Sequence, residues 1–408
     1  MQVDENVEKS IHDLRTSGGW IYTMMSELIN SENVKNLVIV SVNSKNKDAI
    51  FSNGKLKIIT IKANGTRTWF RKTIEDKICQ IIKAEEPDIT DIQGIEFVFS
   101  GVKVPSCYVT TIQGIPFELY KYQKKLNLYV KSLKCSTVYD VLRLRGLWSR
   151  NLYMRARAVL AEKVIKQTRY VIGRTEWDKA VSFGINPKIS YYSVNRIIRD
   201  SFYEYKWNAL EIEKYSIFTI GFSSINKGFD ILIKALTIIV NKYPETILYV
   251  PGKLDISPIN GKWYDRYIWD EIVRLGMENN IKFLGALNAE QMAERLSKSH
   301  VFVSPSLNEN SSNAIAEAQI VGIPVVATYT GGNTTYVTDN ETGLLYSMWD
   351  EFMCAHRVIE LFEDEERCLR LSQKEHQLAI RRHDKDKAVE QLLSAYSNIV
   401  DEYKNKRI

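Results

Sequence analysis

Short apolar runs alternate with longer amphipathic stretches along most of this 408-residue chain. Residues 20–29 carry the first helical pattern. Residues 37–42 and 55–61 predict strands, and a helix is expected over about 69–84. Residues 87–92, closed by Gln93-Gly94, and 106–112, closed by Gln113-Gly114, read as the next strands. Residues 117–168 read as helical and basic; 169–173 is a short strand leading into Arg174-Thr175-Glu176-Trp177-Asp178 at a helix start. The irregular stretch 195–210, rich in Tyr and Trp, reads as a linker. Strands follow at 216–220, 246–250 and 281–284, with helices ending near Lys242 and covering 263–279 and 288–298. Helices over 350–371 and 385–403 close the chain. This alternation predicts a doubly wound α/β sheet in each half.

The pattern is most regular over 301–346. Residues 301–303 are apolar and stop at Ser304-Pro305, where proline can continue neither a ladder nor a helix. A helix is expected over 312–321, with Ser312 as its cap and Gly322 just past its end. Residues 323–328 supply the next buried strand, and so short a crossover predicts a parallel βαβ unit. Glu309 lies in the loop before the helix, and Glu317 eight residues on, in its second turn. Between them, free backbone N–H groups and the positive end of the helix dipole offer a seat for phosphate. A nucleotide sugar suits that arrangement, with sugar hydroxyls at Glu309, diphosphate at the helix start and ribose at Glu317. Gly331-Gly332 follow the next strand, where backbone can approach a ligand closely.

Glu309-Asn310-Ser311-Ser312-Asn313 through Glu317-Ala318, then Gly322-Ile323-Pro324-Val325-Val326-Ala327-Thr328 and Gly331-Gly332, resembles the retaining GT-B glycosyltransferases of family 4. The resemblance implies two Rossmann-like domains facing a cleft, with a C-terminal helix crossing back. It divides the chain into an acceptor domain at 1–200, a nucleotide-sugar domain at 201–384 and the crossing helix at 385–408. It also implies transfer of a sugar, with retention, from a UDP or GDP type of donor to a hydroxyl of a glycan or lipid-linked saccharide, with neither metal nor cofactor. The contrasting reading is a non-catalytic subunit of the same fold that binds nucleotide sugar or glycan.

Residue by residue, the resemblance places the donor sugar at Glu309 and the ribose at Glu317. It places the diphosphate at Lys227-Gly228 and at the backbone of Asn310, Ser311, Ser312 and Asn313. The base would lie against the backbone at Leu284. The family's phosphate-binding arginine after Gly221 is Phe222 here, which removes a fork of donors and a charge. Gln113 and Gln93 stand where histidines are frequent in the family, and glutamine can orient a sugar but cannot take a proton. The wording IQGI, GRTEWD and ENSSNAIAEA resembles one subgroup of the fold, which makes the glutamine pair a subgroup trait. Gly18, Gly19, Gln93 and Arg174 fall on the acceptor side. In the family a strand precedes the glycine loop; none precedes Gly18-Gly19, so a start internal to a longer protein is the expectation.

Charge changes the picture in one place. Between 116 and 157, ten basic residues face two acidic ones, interleaved with aromatics such as Tyr120 and Trp148. Such a face could rest on anionic lipid, meet a phosphorylated acceptor, or simply be solvated. No nucleic-acid module accompanies it. No apolar run approaches the ~20 residues of a membrane span. The five cysteines are scattered, and a cytoplasmic protein with peripheral membrane contact is the expectation. The five histidines show no ligand spacing.

Overall fold

The structure is a computed structural model and describes residues 19–43, 48–63, 72–95, 104–123 and 126–406. Thirteen strands lie in the described residues: β1 Leu37–Asn43, β2 Ala49–Asn53, β3 Leu56–Lys62, β4 Thr90–Gln93, β5 Tyr108–Thr111, β6 Tyr170–Gly173, β7 Ser190–Ser193, β8 Glu213–Phe218, β9 Ile247–Val250, β10 Ile281–Phe283, β11 Ser299–Ser304, β12 Val325–Thr328 and β13 Leu344–Tyr346. They form a three-stranded sheet in the order β1-β3-β2, a four-stranded sheet β4-β5-β6-β7 and a six-stranded sheet β10-β9-β8-β11-β12-β13. The two larger sheets are parallel throughout. β6, β11 and β12 are buried along their whole length, as continuous apolar strands in covered parallel sheets must be. The architecture is GT-B: two doubly wound halves with the last helix crossing between them.

Helices cover the six-stranded sheet. Phe229–Lys242 packs against Glu351–Glu363 and Trp263–Leu275, and Asn313–Val321 packs against Glu365–Arg382. The last helix, Lys385–Asn405, leaves this half and completes the core of the other. Its Leu392, Ala395 and Ile399 are buried with Leu28, Val109 and Ile172. Its Tyr396 hydroxyl donates to Asp91 Oδ2 at 2.7 Å. Asp384 caps it, accepting from the Lys387 backbone at 2.9 Å.

Several boundaries differ from the hydrophobic pattern. β2 and β7 escape it because AIFSN and SYYS are short and half polar. The basic stretch is not one helix; it breaks into Pro116–Gln123, Leu126–Cys135, Val138–Leu142 and Leu147–Gln167. Thr137 and Asp140 restart it with a reciprocal cap, which ends the preceding turn. Likewise Asp364 separates Glu351–Glu363 from Glu365–Arg382 by capping the second. The expectations for residues 1–17, for Gly18 and for a missing first strand fall outside the described residues. Gly19 opens the Gly19–Asn30 helix.

Two buried histidines give the fold an acid limit. Tyr215 donates its backbone N–H to His300 Nδ1 at 3.3 Å, and the His300 ring stacks on Phe362. His383 Nδ1 meets the Arg196 carbonyl at 2.8 Å. Burial pushes both imidazoles down, each to about 4 from an ordinary 6.5. The unfolded chain binds a proton near pH 6.5 that the folded chain refuses until about 4, so stability is complete above that range and falls on acidification through it. Each site contributes on the order of 3 kcal/mol of this loss. Denaturant titrations from pH 7 to 4 should show the decline, and the His300→Gln/His383→Gln chain should flatten it relative to its own value at pH 7.

Candidate functional site

In the strand order β10-β9-β8-β11-β12-β13 the chain winds first one way and then the other, and the direction reverses between β8 and β11. Loops leaving the carboxyl ends of two such strands splay apart, and the gap between them is the natural ligand crevice of the fold. The loop after β8 carries Lys227-Gly228, and the loop after β11 carries Glu309. They are stitched together: Leu307 donates its backbone N–H to the Asn226 carbonyl at 2.8 Å. Gly228 has φ +62°, and a Cβ there would lie 2.1 Å from the Pro305 carbonyl oxygen, so only glycine allows the approach.

Lys227 Nζ donates to Glu309 Oε1, and Ser306 Oγ donates to the same oxygen at 3.0 Å. The carboxylate expected to face a sugar and the ammonium expected to face phosphate therefore meet at the crevice. The Asn313–Val321 helix starts directly behind them, with Ser312 Oγ accepting from the Ile315 backbone at 3.3 Å. Beside this start, the buried Asn308 Nδ2 and Ser311 Oγ have no hydrogen-bond partner. Buried polar atoms are nearly always satisfied, so such a pair at a helix start fits a site that a polar ligand completes. Gly332 N donates to the Glu309 carbonyl at 2.9 Å and holds the acidic loop against the glycine pair.

Glu317 lies one turn on from Asn313, on the same helix face. Its partner, invisible to the motif, is Arg199, whose Nη2 donates to Glu317 Oε1 at 2.6 Å. Burial raises the Glu317 pKa and the Arg199 charge opposes that rise. Leu284 lies just past β10, its backbone N–H bonded to the Val250 carbonyl at 2.9 Å. Phe222, expected as a lost phosphate contact, is a core residue: its ring meets Phe283 edge-on at 5.4 Å and Phe229 at 5.9 Å. The aromatic cluster accounts for the absence of arginine there, since a buried guanidinium against the two remaining phenyl rings would be costly.

The first half closes over these loops. Thr175 Oγ1 donates to Asn310 Oδ1 at 3.0 Å, and the Glu176 backbone donates to Thr335 Oγ1 at 3.2 Å. Thr175 and Asp178 form the cap that starts the Glu176–Ile185 helix, so Asp178 is a capping residue. Gln113 and Gln93 are linked, Gln113 Nε2 donating to Gln93 Oε1 at 2.7 Å, while Gln93 Nε2 donates to Asp91 Oδ2 at 2.8 Å. Asp91 thereby sets both amides. The Gln113 oxygen faces Arg174 Nη1 at 3.4 Å and Arg196 Nη2 at 3.3 Å. Arg174 also donates to the Ile112 carbonyl at 2.7 Å. Asp91, Gln93, Arg174 and Arg196 line a small cavity with Asn195 and Tyr396.

Arg196 is the residue the sequence reading overlooks. It follows β7 in the stretch read as linker, yet its Nη1 donates to Asn313 Oδ1 at the helix start. Burial, then the neighbouring Arg174 charge, lower its pKa to about 9. Nothing in the spacing of the residues around it marks it. Among the described residues no group of three or more His, Cys, Asp or Glu side chains could hold a metal ion.

Residues 205–378 match the family described as glycosyl transferases group 1. A D-inositol 3-phosphate glycosyltransferase of Corynebacterium efficiens is 34% identical over 101 residues, 25% of this chain and 24% of that protein. An N-acetyl-alpha-D-glucosaminyl L-malate synthase of Bacillus anthracis is 24% identical over 198 residues, 48% of this chain and 49% of its own length. The matches thus span from a quarter to about half of these relatives. Solved structures match along nearly the whole chain. Sucrose-phosphate synthase from Thermosynechococcus elongatus superposes with a TM-score of 0.71 at 16% identity, covering 94% of this chain and 93% of that one. Anabaena HepE in complex with UDP-glucose gives 0.63 at 16% identity, covering 88% and 99%. At such identities the likeness establishes the fold.

Proposed function

We propose that this chain is a retaining glycosyltransferase of family 4, moving a sugar from a nucleotide-sugar donor to a hydroxyl of a glycan or lipid-linked saccharide in polysaccharide biosynthesis. The observation that carries the reading is the Lys227–Glu309 pair in the crevice between β8 and β11, at the start of the Asn313–Val321 helix. The match of 205–378 to group 1 glycosyl transferases and the UDP-glucose complex of a protein of this fold support it.

In this reading the donor diphosphate displaces Glu309 from Lys227 and takes the helix N–H groups at Ser311 to Asn313. Glu309, released, orients the sugar, and the Glu317–Arg199 pair meets the ribose hydroxyls. The base lies against the Leu284 backbone. The C1–O bond to the diphosphate breaks while the acceptor oxygen bonds to C1 on the same face. The acceptor proton passes to the leaving phosphate oxygen, so no protein nucleophile and no metal is required. The protein supplies position and charge. Gln113 and Gln93, held by Asp91, and Arg174 face the acceptor. Arg196 supplies from the first half the phosphate cation that Phe222 cannot.

The test is a panel of UDP and GDP sugars scored by thermal stabilisation and by transfer. One donor should stabilise the protein, and Lys227→Ala should cancel the shift. No stabilisation by any member, or an unaltered shift in Lys227→Ala, overturns the reading. Arg196→Lys keeps charge but loses the planar fork, and should weaken donor binding about ten-fold, measured by calorimetric titration.

A further inference from the structure

Three consecutive helices turn apolar side chains to solvent. On Leu126–Cys135 it is Leu133, 78% exposed; on Val138–Leu142 it is Val141 and Leu142, 68% and 74% exposed; on Leu147–Gln167 it is Trp148, 67% exposed. Spacing makes the face continuous within each of the last two helices. Val138, Val141 and Leu142 fall at i, i+3 and i+4, and Trp148, Leu152 and Val159 at i, i+4 and i+11, all exposed and each set on one side of its helix. The opposite side of Val138–Leu142 is anchored: Asp140, buried, pairs with Arg266, and Thr137 Oγ1 donates to the Pro258 carbonyl at 3.0 Å. Arg143 reaches the Ile259 carbonyl at 2.6 Å, which brings the exposed Ile259 side chain of the second half to the edge of the same face. The helices are thus held rigidly on both halves while their apolar side faces outward.

The acid on this face is already answered: Glu162, a turn beyond Val159 on the same side of its helix, pairs with Lys166 at 2.6 Å. From 126 to 161 the chain carries seven basic residues and a single acidic one, Asp140, which is already paired and buried. Lys134, Arg145 and Arg155 are exposed around the apolar side chains. A second copy of the chain packed here symmetrically would set these cations against one another with only Glu162, already paired with Lys166, to answer them. A surface that is apolar within and negative at its rim answers both features.

We propose that this face is a membrane-docking surface, which rests on an anionic lipid leaflet with Leu142 and Trp148 entering the boundary between headgroups and acyl chains and Lys134, Arg145 and Arg155 on the phosphates. No helix among the described residues is long and apolar enough to cross a membrane, and this contact needs none. The inference does not depend on what the crevice binds.

The test is flotation of the full chain with phosphatidylcholine vesicles, with or without phosphatidylglycerol at about three lipids in ten. Binding is expected only with phosphatidylglycerol, and should fall steeply by about 0.5 M salt. Leu142→Glu/Trp148→Glu should lose on the order of ten-fold or more in binding while keeping the wild-type melting curve and nucleotide response. Lys134→Glu/Arg155→Glu should weaken binding while leaving apolar contact intact. Equal binding to neutral vesicles, no binding, or binding unchanged in both double variants overturns the proposal. So does a lipid-free dimer, seen by light scattering, that Trp148→Glu dissolves, since the face would then be covered by a second copy.

Discussion

Glu309→Gln is expected to lower the rate of sugar transfer by on the order of a hundred- to a thousand-fold while leaving nucleotide affinity equal or tighter. The two effects have opposite sign because of one contact. In the donor-free protein Glu309 occupies Lys227, so a diphosphate must compete with a carboxylate for the ammonium. Glutamine is neutral and surrenders Lys227 to the phosphate at less cost. At the same time, on the proposed reading, it removes the negative charge nearest the reacting sugar, where positive charge develops as the bond to the leaving group stretches. Calorimetric titration with the nucleotide and single-turnover transfer with the cognate donor separate the two. Equal transfer rates in wild type and variant would remove Glu309 from the mechanism, and a parallel loss of binding and rate would reduce it to a structural support.

The second large effect is expected from Gly332→Ala. Gly332 has φ −83°, a conformation that alanine adopts without strain, so any damage comes from the methyl group alone. That methyl would lie 1.7 Å from the Asn310 carbonyl oxygen and 2.7 Å from Thr175 Cγ2. The first is backbone of the acidic loop and the second belongs to the opposite half, so neither can rotate away. The Glu309-Asn310 segment must move, and with it the Gly332 N–H bond to the Glu309 carbonyl and the Thr175–Asn310 bond. A cost of roughly 2–4 kcal/mol is expected, in the range of severe packing substitutions. The melting temperature should fall by several degrees. The thermal response to donor should vanish, because the displaced loop no longer faces the helix start. Retention of a full donor response would show that the acidic loop does not form the donor seat.

The two halves of the chain were not equally legible. Over 301–346 Pro305 and Gly322 punctuate the apolar runs, and the ends of the observed β11, the capped helix and β12 all fall within two residues of expectation. There the same residues that shape the backbone also line the crevice, so the pattern of one announces the other. The first half offered less. β7 is SYYS, β2 is AIFSN, and the basic stretch breaks at caps whose Thr and Asp look like ordinary surface residues until their partners are known. Arg196 and Arg199 were missed for a different reason. Each acts on a residue more than a hundred positions away, Asn313 and Glu317, and no local spacing records such a pairing. Why Phe222 stands where the family has arginine was not legible, because a motif treats one position at a time, whereas its neighbours Phe229 and Phe283 make an aromatic the better fit.

The returning helix has a consequence for how the protein is made. Leu392, Ala395 and Ile399 follow the whole second half in the chain, yet they seal the interior built on Leu28, Val109 and Ile172. The first half therefore waits, with part of its apolar surface uncovered, until Lys385–Asn405 has been synthesised and has folded back. A chain interrupted just after Asp384 would leave the first half, not the second, with its interior unsealed.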